Sequence, residues 1–349
     1  MCLARVPRLG FGPVFGLVFP VFHGGIFKPG LGARSYTFPM PAFRSASSVA
    51  LPALVALVLV ASHPQQARAW GDEGHRMVNR LAASNLPKDV PEFLRSEAAI
   101  HEIEYLGPEP DRWRSQAEPE LVSAQAPEHF IDLELADALG GSLPHKRFDF
   151  LAKAYAAGQN PAKIGLQPWQ AVEVWERLKA ALRQYRLLST QHKETREVEA
   201  AAIFYAGWLG HYVGDASQPL HTTVQYNGWT GPNPNGYTTE HKIHWQFEGL
   251  FVHDNEQILD ADASKKLTEP HVIDGDIFDQ YMAYLRHTST YVEKVYQLEK
   301  AGGFTDKGSE ESRAFTADRL AAGASMLRDM IYTAWVDSGQ PVPTPNYGM

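Results

Sequence analysis

The chain has 349 residues, 44% apolar and 21% charged, with a formal charge of -8; this suits a globular protein with a sizeable core and excludes collagen-like, coiled-coil and largely disordered chains. Residues 1–69 carry six bases (Arg5, Arg8, Lys28, Arg34, Arg44, Arg68) and no acid, which leaves 26 Lys and Arg against 40 Asp and Glu, a net -14, for residues 70–349. An acidic body argues against a broad basic face for nucleic acid or anionic membrane, and with Cys2 the only cysteine any metal falls to His, Asp and Glu.

Near the end of the acid-free stretch lies the apolar run Val49–Ala61, preceded by Arg44 and followed by a polar stretch ending Ala67-Arg68-Ala69. That pattern is a basic region, a short apolar core and a small-x-small cleavage site, the layout of an export signal. A membrane anchor is the alternative, but the run of 13 residues falls short of the roughly 20 a spanning helix needs. Residues 40–69 form a complete signal by themselves, Met40 included, and 1–39 are an odd Gly-, Pro- and Phe-rich prefix. The expected mature form therefore begins at Trp70, outside the cytoplasm, in a periplasmic or extracellular setting.

From Trp70 onward helical periodicity dominates and strand alternation is scarce. Met77, Val78, Leu81 and Ala82 predict an amphipathic helix ending near Pro87. Pro168 opens a predicted helix over 168–188, with Val172, Trp175, Leu178 and Leu182 on one face. Others are predicted over 195–213, 240–252, 277–298 and 310–336. Residues 226–239 (YNGWTGPNPNGYTT) read as a loop, and 140–144 as another break. No repeat or linker divides the segment 70–349, so the expectation is one all-α domain.

Twelve histidines lie beyond residue 69, several at metal-ligand spacings. His211 and Asp215 are four apart, on one face of a predicted helix, and can share a cation. Pro219 ends that helix and turns His221 toward a nearby but different position. His244 and Glu248 repeat the spacing, and Asp111 and His129 lie upstream. Nitrogen and oxygen donors without sulfur suit catalytic zinc, where water completes the coordination. Each piece also has an ordinary explanation: a His/Asp pair on a helix is commonly a solvated surface pair, and His244 among aromatics is commonly a core residue. His101, His145, His192, His241, His253, His271 and His287 are given no role.

Together, Trp70-Gly-Asp-Glu-Gly-His75, Asp111-Arg-Trp-Arg114, His129-Phe-Ile-Asp132, His211-x3-Asp215-x5-His221 and His244-x3-Glu248 resemble the motifs of the zinc-dependent nuclease and phospholipase C superfamily, in family order. The resemblance implies that superfamily's helical fold and three zinc ions. Asp111, His129, His211 and Asp215 would hold one; the Trp70 amine and carbonyl, His75 and a bridging Asp215 the second; His221, His244 and Glu248 the third. It also makes the leader part of the chemistry: an α-amine can lose its proton to a metal, and a peptide nitrogen cannot. Removal of residues 1–69 would thus create a ligand.

The implied reaction is phosphodiester hydrolysis by a metal-activated water. Arg114 would steady the developing negative charge, with a surface pair to Glu118 as its alternative. Asp132 would orient ligands or the water, and Phe130 would offer a stacking face to a base, or else pack in the core. Two substrate classes follow. The Trp-Gly-x-x-Gly-His spacing and Asp-x-x-Arg favour a single-strand-preferring DNA and RNA endonuclease with 3'-nucleotidase-like activity. Glu248, where the nucleases usually carry Asp, favours a phospholipase C acting on phospholipid. A non-catalytic zinc-binding secreted protein is a third reading. No protein partner and no stable membrane anchor are expected.

Overall fold

The structure, a computed structural model, describes residues 70–342. The expected leader, its signal over 40–69 and cleavage before Trp70 all concern the junction with residues 1–69, which lie outside the described residues. Among the described residues there is no strand, only an isolated bridge between Tyr226 and Gly228, and the all-α expectation holds. No described helix is long and apolar enough to cross a membrane.

The principal helices are α1 (Gly71–Ser84), α2 (Glu97–Leu106), α3 (Glu109–Arg112), α4 (Arg147–Ala156), α5 (Gln167–Thr190), α6 (Arg196–Ser217), α7 (Phe251–Ser264), α8 (Ile277–Ser289), α9 (Val292–Lys300) and α10 (Glu310–Ser338). Three starts carry side-chain caps: Ser96 accepts from the Ala99 amide, Asp276 from those of Phe278 and Asp279, and Ser309 from that of Ser312. Each satisfies donors that a helix N-terminus otherwise leaves open.

Two expectations are corrected. The segment read as one helix over 277–298 breaks at Thr290–Tyr291 into α8 and α9. The helix placed over 240–252 starts at Ile243, and Gln246–Leu250 form a π-helical turn before α7 continues. Short helices at Glu92–Arg95, Pro119–Gln125, Leu133–Asp137 and Pro161–Ile164 carry too few periodic positions to be read from sequence.

Helices α1, α5, α6 and α10 pack on one another around a core that includes Val78, Leu81, Val174, Leu178, Leu209, Val213, Leu320, Leu327 and Ile331, all almost fully buried. Asn79 pins α1 in place, its amide donating to the carbonyls of Ile103 at 2.8 Å and Gly207 at 2.9 Å. α6 approaches α1 closely because it lacks side chains where they meet. A Cβ on Gly210 would lie 1.8 Å from Asn79 Oδ1, and one on Gly214 3.1 Å from His75 Nδ1. α1 and α6 thereby bring the far-separated His75 and Asp215 together.

Candidate metal centre

Eight residues meet in the buried zone between α1, α3, α6 and the start of the helical stretch 243–264. Asp215 is its hub. Its Oδ1 lies 3.3 Å from His75 Nε2, and its Oδ2 lies 3.3 Å from His129 Nδ1 and 3.4 Å from His211 Nε2. Asp111 adds a carboxylate oxygen 3.8 Å from His129 Nδ1. Alongside, Glu248 sits 2.9 Å from His244 Nε2 and 3.4 Å from His221 Nε2. His75, Asp111 and His211 form one group whose donor atoms could hold a metal ion, His129, His211 and Asp215 a second, and His221, His244 and Glu248 a third.

Backbone carbonyls fix which imidazole nitrogen faces inward. The Nδ1 of His211 donates to Gly107 O at 2.9 Å, that of His221 to His129 O at 2.7 Å, and that of His244 to Tyr226 O at 2.9 Å. With Nδ1 so engaged, Nε2 is the nitrogen left facing inward: that of His211 lies 2.9 Å from His129 Nδ1, and those of His221 and His244 face Glu248. Both oxygens of Asp215, Oδ2 of Asp111, Nε2 of His129 and Nε2 of His221 are buried without a hydrogen-bond partner. Buried polar atoms without a partner are costly in a dry interior unless a proton or a metal ion lies beside them. The hub spacings of 3.3–3.4 Å match the edge of a tetrahedron with bonds of about 2.0 Å, roughly 3.3 Å. The residues therefore fit divalent ions.

The electrostatics agree. Burial drives the Asp215 carboxyl well above the usual carboxylate range, and burial also raises Asp111. Burial pushes His129 and His211 well below the ordinary imidazole range. In the third group burial is outweighed by charge: Asp215 and Glu248 raise His221, Glu248 raises His244, and those imidazoles bring Glu248 down to about 2. The Gln218 amide also donates to Glu248 at 2.7 Å, holding its second oxygen in place.

Trp70 is fully buried, its indole donating to Gly214 O at 2.7 Å and Ser217 Oγ at 3.0 Å. The residue expected at the mature terminus is thus fastened to the same turn of α6 that presents Asp215. Arg114 is bonded to Asp111 Oδ1 at 3.2 Å; the alternative of a surface pair with Glu118 is not what the structure has. Asp132 is buried where its amide meets Ile164 O at 2.7 Å. Burial, then the charge of Glu134, pushes its carboxyl up to about 7. Among the described residues no hydrogen bond ties that carboxyl to a candidate ligand. Phe130 is half-buried and stands outside the hydrophobic core, so core packing does not explain it. The backbone of 129–132 is set by Gly165, whose φ of +98° places a would-be Cβ 2.1 Å from Phe130 O.

The carbonyls of Gly107, His129 and Tyr226 and the amide of Gln218 had no signal in the sequence, because their role depends on where a remote imidazole or carboxylate arrives. The loop expected over 226–239 is present. With Thr222, Thr223, Glu134 and Arg286, its Trp229 lines a cleft of about 580 Å³. Of the histidines given no role, His145 meets Asp276 through Nδ1 at 3.5 Å and Asp279 through Nε2 at 3.0 Å. Their donor atoms could also hold an ion, but all three are exposed, and exposed acidic groups are common without one.

The S1/P1 Nuclease family model matches residues 70–342. Among solved structures the chain is similar to the alpha toxin from Clostridium absonum, at 15% identity and a TM-score of 0.39, covering 80% of this chain and 67% of that one. It is likewise similar to the Clostridium perfringens alpha-toxin isolated from avian strain SWCP, at 15% identity and a TM-score of 0.40, covering 79% and 66%. No curated protein matches the chain.

Proposed function

The chain belongs to the S1/P1 nuclease family, and on that footing we propose that it is an exported, zinc-dependent phosphodiesterase that cleaves single-stranded DNA and RNA and has 3'-nucleotidase-like activity. The observation that carries this reading is the convergence of bare imidazole nitrogens and carboxylate oxygens from remote parts of the chain into buried groups. Asp111, His129, His211 and Asp215 would hold one zinc, Trp70, His75 and Asp215 a second, and His221, His244 and Glu248 a third. When bound, the ions supply a water of lowered pKa and positive charge for the phosphate oxygens.

The chain's own residues do the rest. Gly107, His129 and Tyr226 keep a proton on Nδ1 of His211, His221 and His244, so Nε2 is the nitrogen each ring turns toward a metal. Arg114, held by Asp111 and about a quarter exposed, presents a guanidinium to a phosphodiester entering the site. Asp132, its carboxyl at about 7, is suited to accept and return a proton near neutral pH. Phe130, half-buried and outside the core, offers a face to a base.

A second reading, a phospholipase C, is favoured by one residue, Glu248, where the nucleases usually carry Asp. Purification of the form starting at Trp70, zinc counting, and assays on single-stranded DNA, RNA and phosphatidylcholine separate the two. Hydrolysis of nucleic acid with three zinc ions supports the nuclease. Hydrolysis of lipid and of neither nucleic acid overturns it.

A further inference from the structure

Next to the cluster, on a chain that is acidic as a whole, runs a continuous band of guanidinium groups and aromatic rings that the candidate ligands do not use. Arg76 lies 5.3 Å and Arg112 4.5 Å from the centre of the Tyr105 ring. Beside Arg112 in the chain, Trp113 meets Trp208 edge-on at 5.3 Å, and Arg177 stands 5.6 Å from the Trp208 ring. Phe204 extends the band, 5.9 Å from Trp208. α1, α2, α3, α5 and α6 each contribute, so the band is a feature of the fold rather than of one loop.

Two properties set it apart from ordinary surface. Tyr105 is 49% exposed and Phe204 36% exposed, and neither they nor Trp113 belong to the hydrophobic core. Arg76 makes no hydrogen bond or ion pair among the described residues, although the chain has an excess of carboxylates. Arg112 is held by Glu109 at 2.5 Å, and Arg177 lies 4.0 Å from Glu173. These pairs keep the two guanidiniums in position, and the more exposed one, Arg177 with Glu173, contributes little stability that a competing phosphate would have to replace.

The band is also joined to the cluster. Arg76 follows His75 and Arg112 follows Asp111 in the chain. Trp208 donates to the Tyr212 hydroxyl at 3.2 Å, and the Tyr212 ring lies 5.9 Å from that of His129.

We propose that this band is the track along which a single-stranded nucleic acid extends away from the cluster, with Tyr105, Trp113 and Phe204 receiving bases and Arg76, Arg112 and Arg177 receiving phosphates. The proposal rests on the nuclease reading and adds the surface that would make that enzyme prefer unpaired polymer to short substrate. Flat rings beside guanidiniums match unpaired bases beside phosphates. A duplex keeps its base faces stacked and out of reach, and a phospholipid headgroup has phosphate but no planar face.

The test compares kcat/KM on an oligothymidylate with kcat/KM on a thymidine dinucleotide, at several salt concentrations. In Arg76→Gln/Arg177→Gln the oligomer-to-dinucleotide ratio is expected to fall roughly tenfold at low salt. The slope of log kcat/KM for the oligomer against log salt should flatten by about 1.4, for two lost phosphate contacts. Arg76→Lys/Arg177→Lys, which keeps the charges, should retain the slope. Phe204→Ala should lower the ratio roughly fivefold, one lost stacking contact, and leave the slope alone. Unchanged ratios in the Gln and Ala variants overturn the track while leaving the nuclease reading intact. A wild-type enzyme inert on both nucleic acids overturns both. Variants that instead impair hydrolysis of phosphatidylcholine vesicles assign the band to a lipid surface and overturn the track.

Discussion

The substitution Asp215→Asn has opposite expected effects with and without metal. In the metal-free protein both Asp215 oxygens are buried with no hydrogen-bond donor, facing nitrogens of His75, His129 and His211 at 3.3–3.4 Å. Burial already disfavours the charged form of this carboxyl, so the gain from Asn comes from its N–H donors, and from the absence of charge only at pH high enough to ionise Asp215. Relief of a buried group without hydrogen bonds amounts to roughly 1–3 kcal/mol, or about 2–10 °C in Tm for a chain of this size. With zinc at a thousand times Kd, each bound ion adds about 4 kcal/mol to the wild type. The variant should lose the contribution of the two ions that Asp215 would serve, so roughly two thirds of the zinc-dependent rise in Tm disappears. Melting curves of both proteins, chelated and zinc-loaded, are the assay. A variant less stable than wild type when chelated, yet raised by zinc as much as wild type, would refute the reasoning.

Zinc affinity should fall as pH falls, because the raised Asp111, Asp215, His221 and His244 hold protons that metal must displace; calorimetric titration in buffers of different ionisation enthalpy should detect that release, and buffer-independent heats would contradict it. Asp132, raised in the fold from 3.8 to about 7, binds its proton more tightly folded than unfolded. Its contribution to metal-free stability is therefore complete below pH about 4 and lost as pH rises to about 7; Asp132→Asn should flatten that part of the stability–pH curve, and an unaltered curve counts against the assignment. Gly165→Ala should cost roughly 3 kcal/mol, combining a left-handed φ with a clash on Phe130 O, and should lower zinc content by displacing His129; an unchanged Tm and zinc count would be the contrary result. Extending the Trp70 terminus by one residue should remove one zinc and most activity, whereas full activity would rule out an amine ligand.

The sequence was most informative where spacing alone specifies geometry. His211 with Asp215 and His244 with Glu248 are one helical turn apart, and the structure finds each pair in contact at 3.4 and 2.9 Å. Pro219 does follow the end of α6 and turns His221 aside to Glu248. The long helices were legible because their apolar periodicity runs for several turns. The break at Thr290–Tyr291 was not, since Val292, Val295 and Tyr296 continue an apolar pattern across it. Equally hidden were the carbonyls orienting the imidazoles: a backbone oxygen looks the same in every residue, and its value at Gly107, His129 and Tyr226 comes only from remote packing. The sequence left the Arg114 partner open for a related reason: Asp111 and Glu118 are both near in the chain, and the fold sets Arg114 against Asp111.

A zinc-dependent reaction at this site requires that the buried cluster bind cations. Diffraction from crystals of the zinc-loaded, Trp70-start protein, measured on both sides of the zinc absorption edge, addresses this directly. Three anomalous peaks are expected: one among Asp111, His129, His211 and Asp215, one beside His75 and Trp70, and one among His221, His244 and Glu248. A saturated protein with no peak among these residues, or with its zinc only on the exposed His145 group, would contradict it.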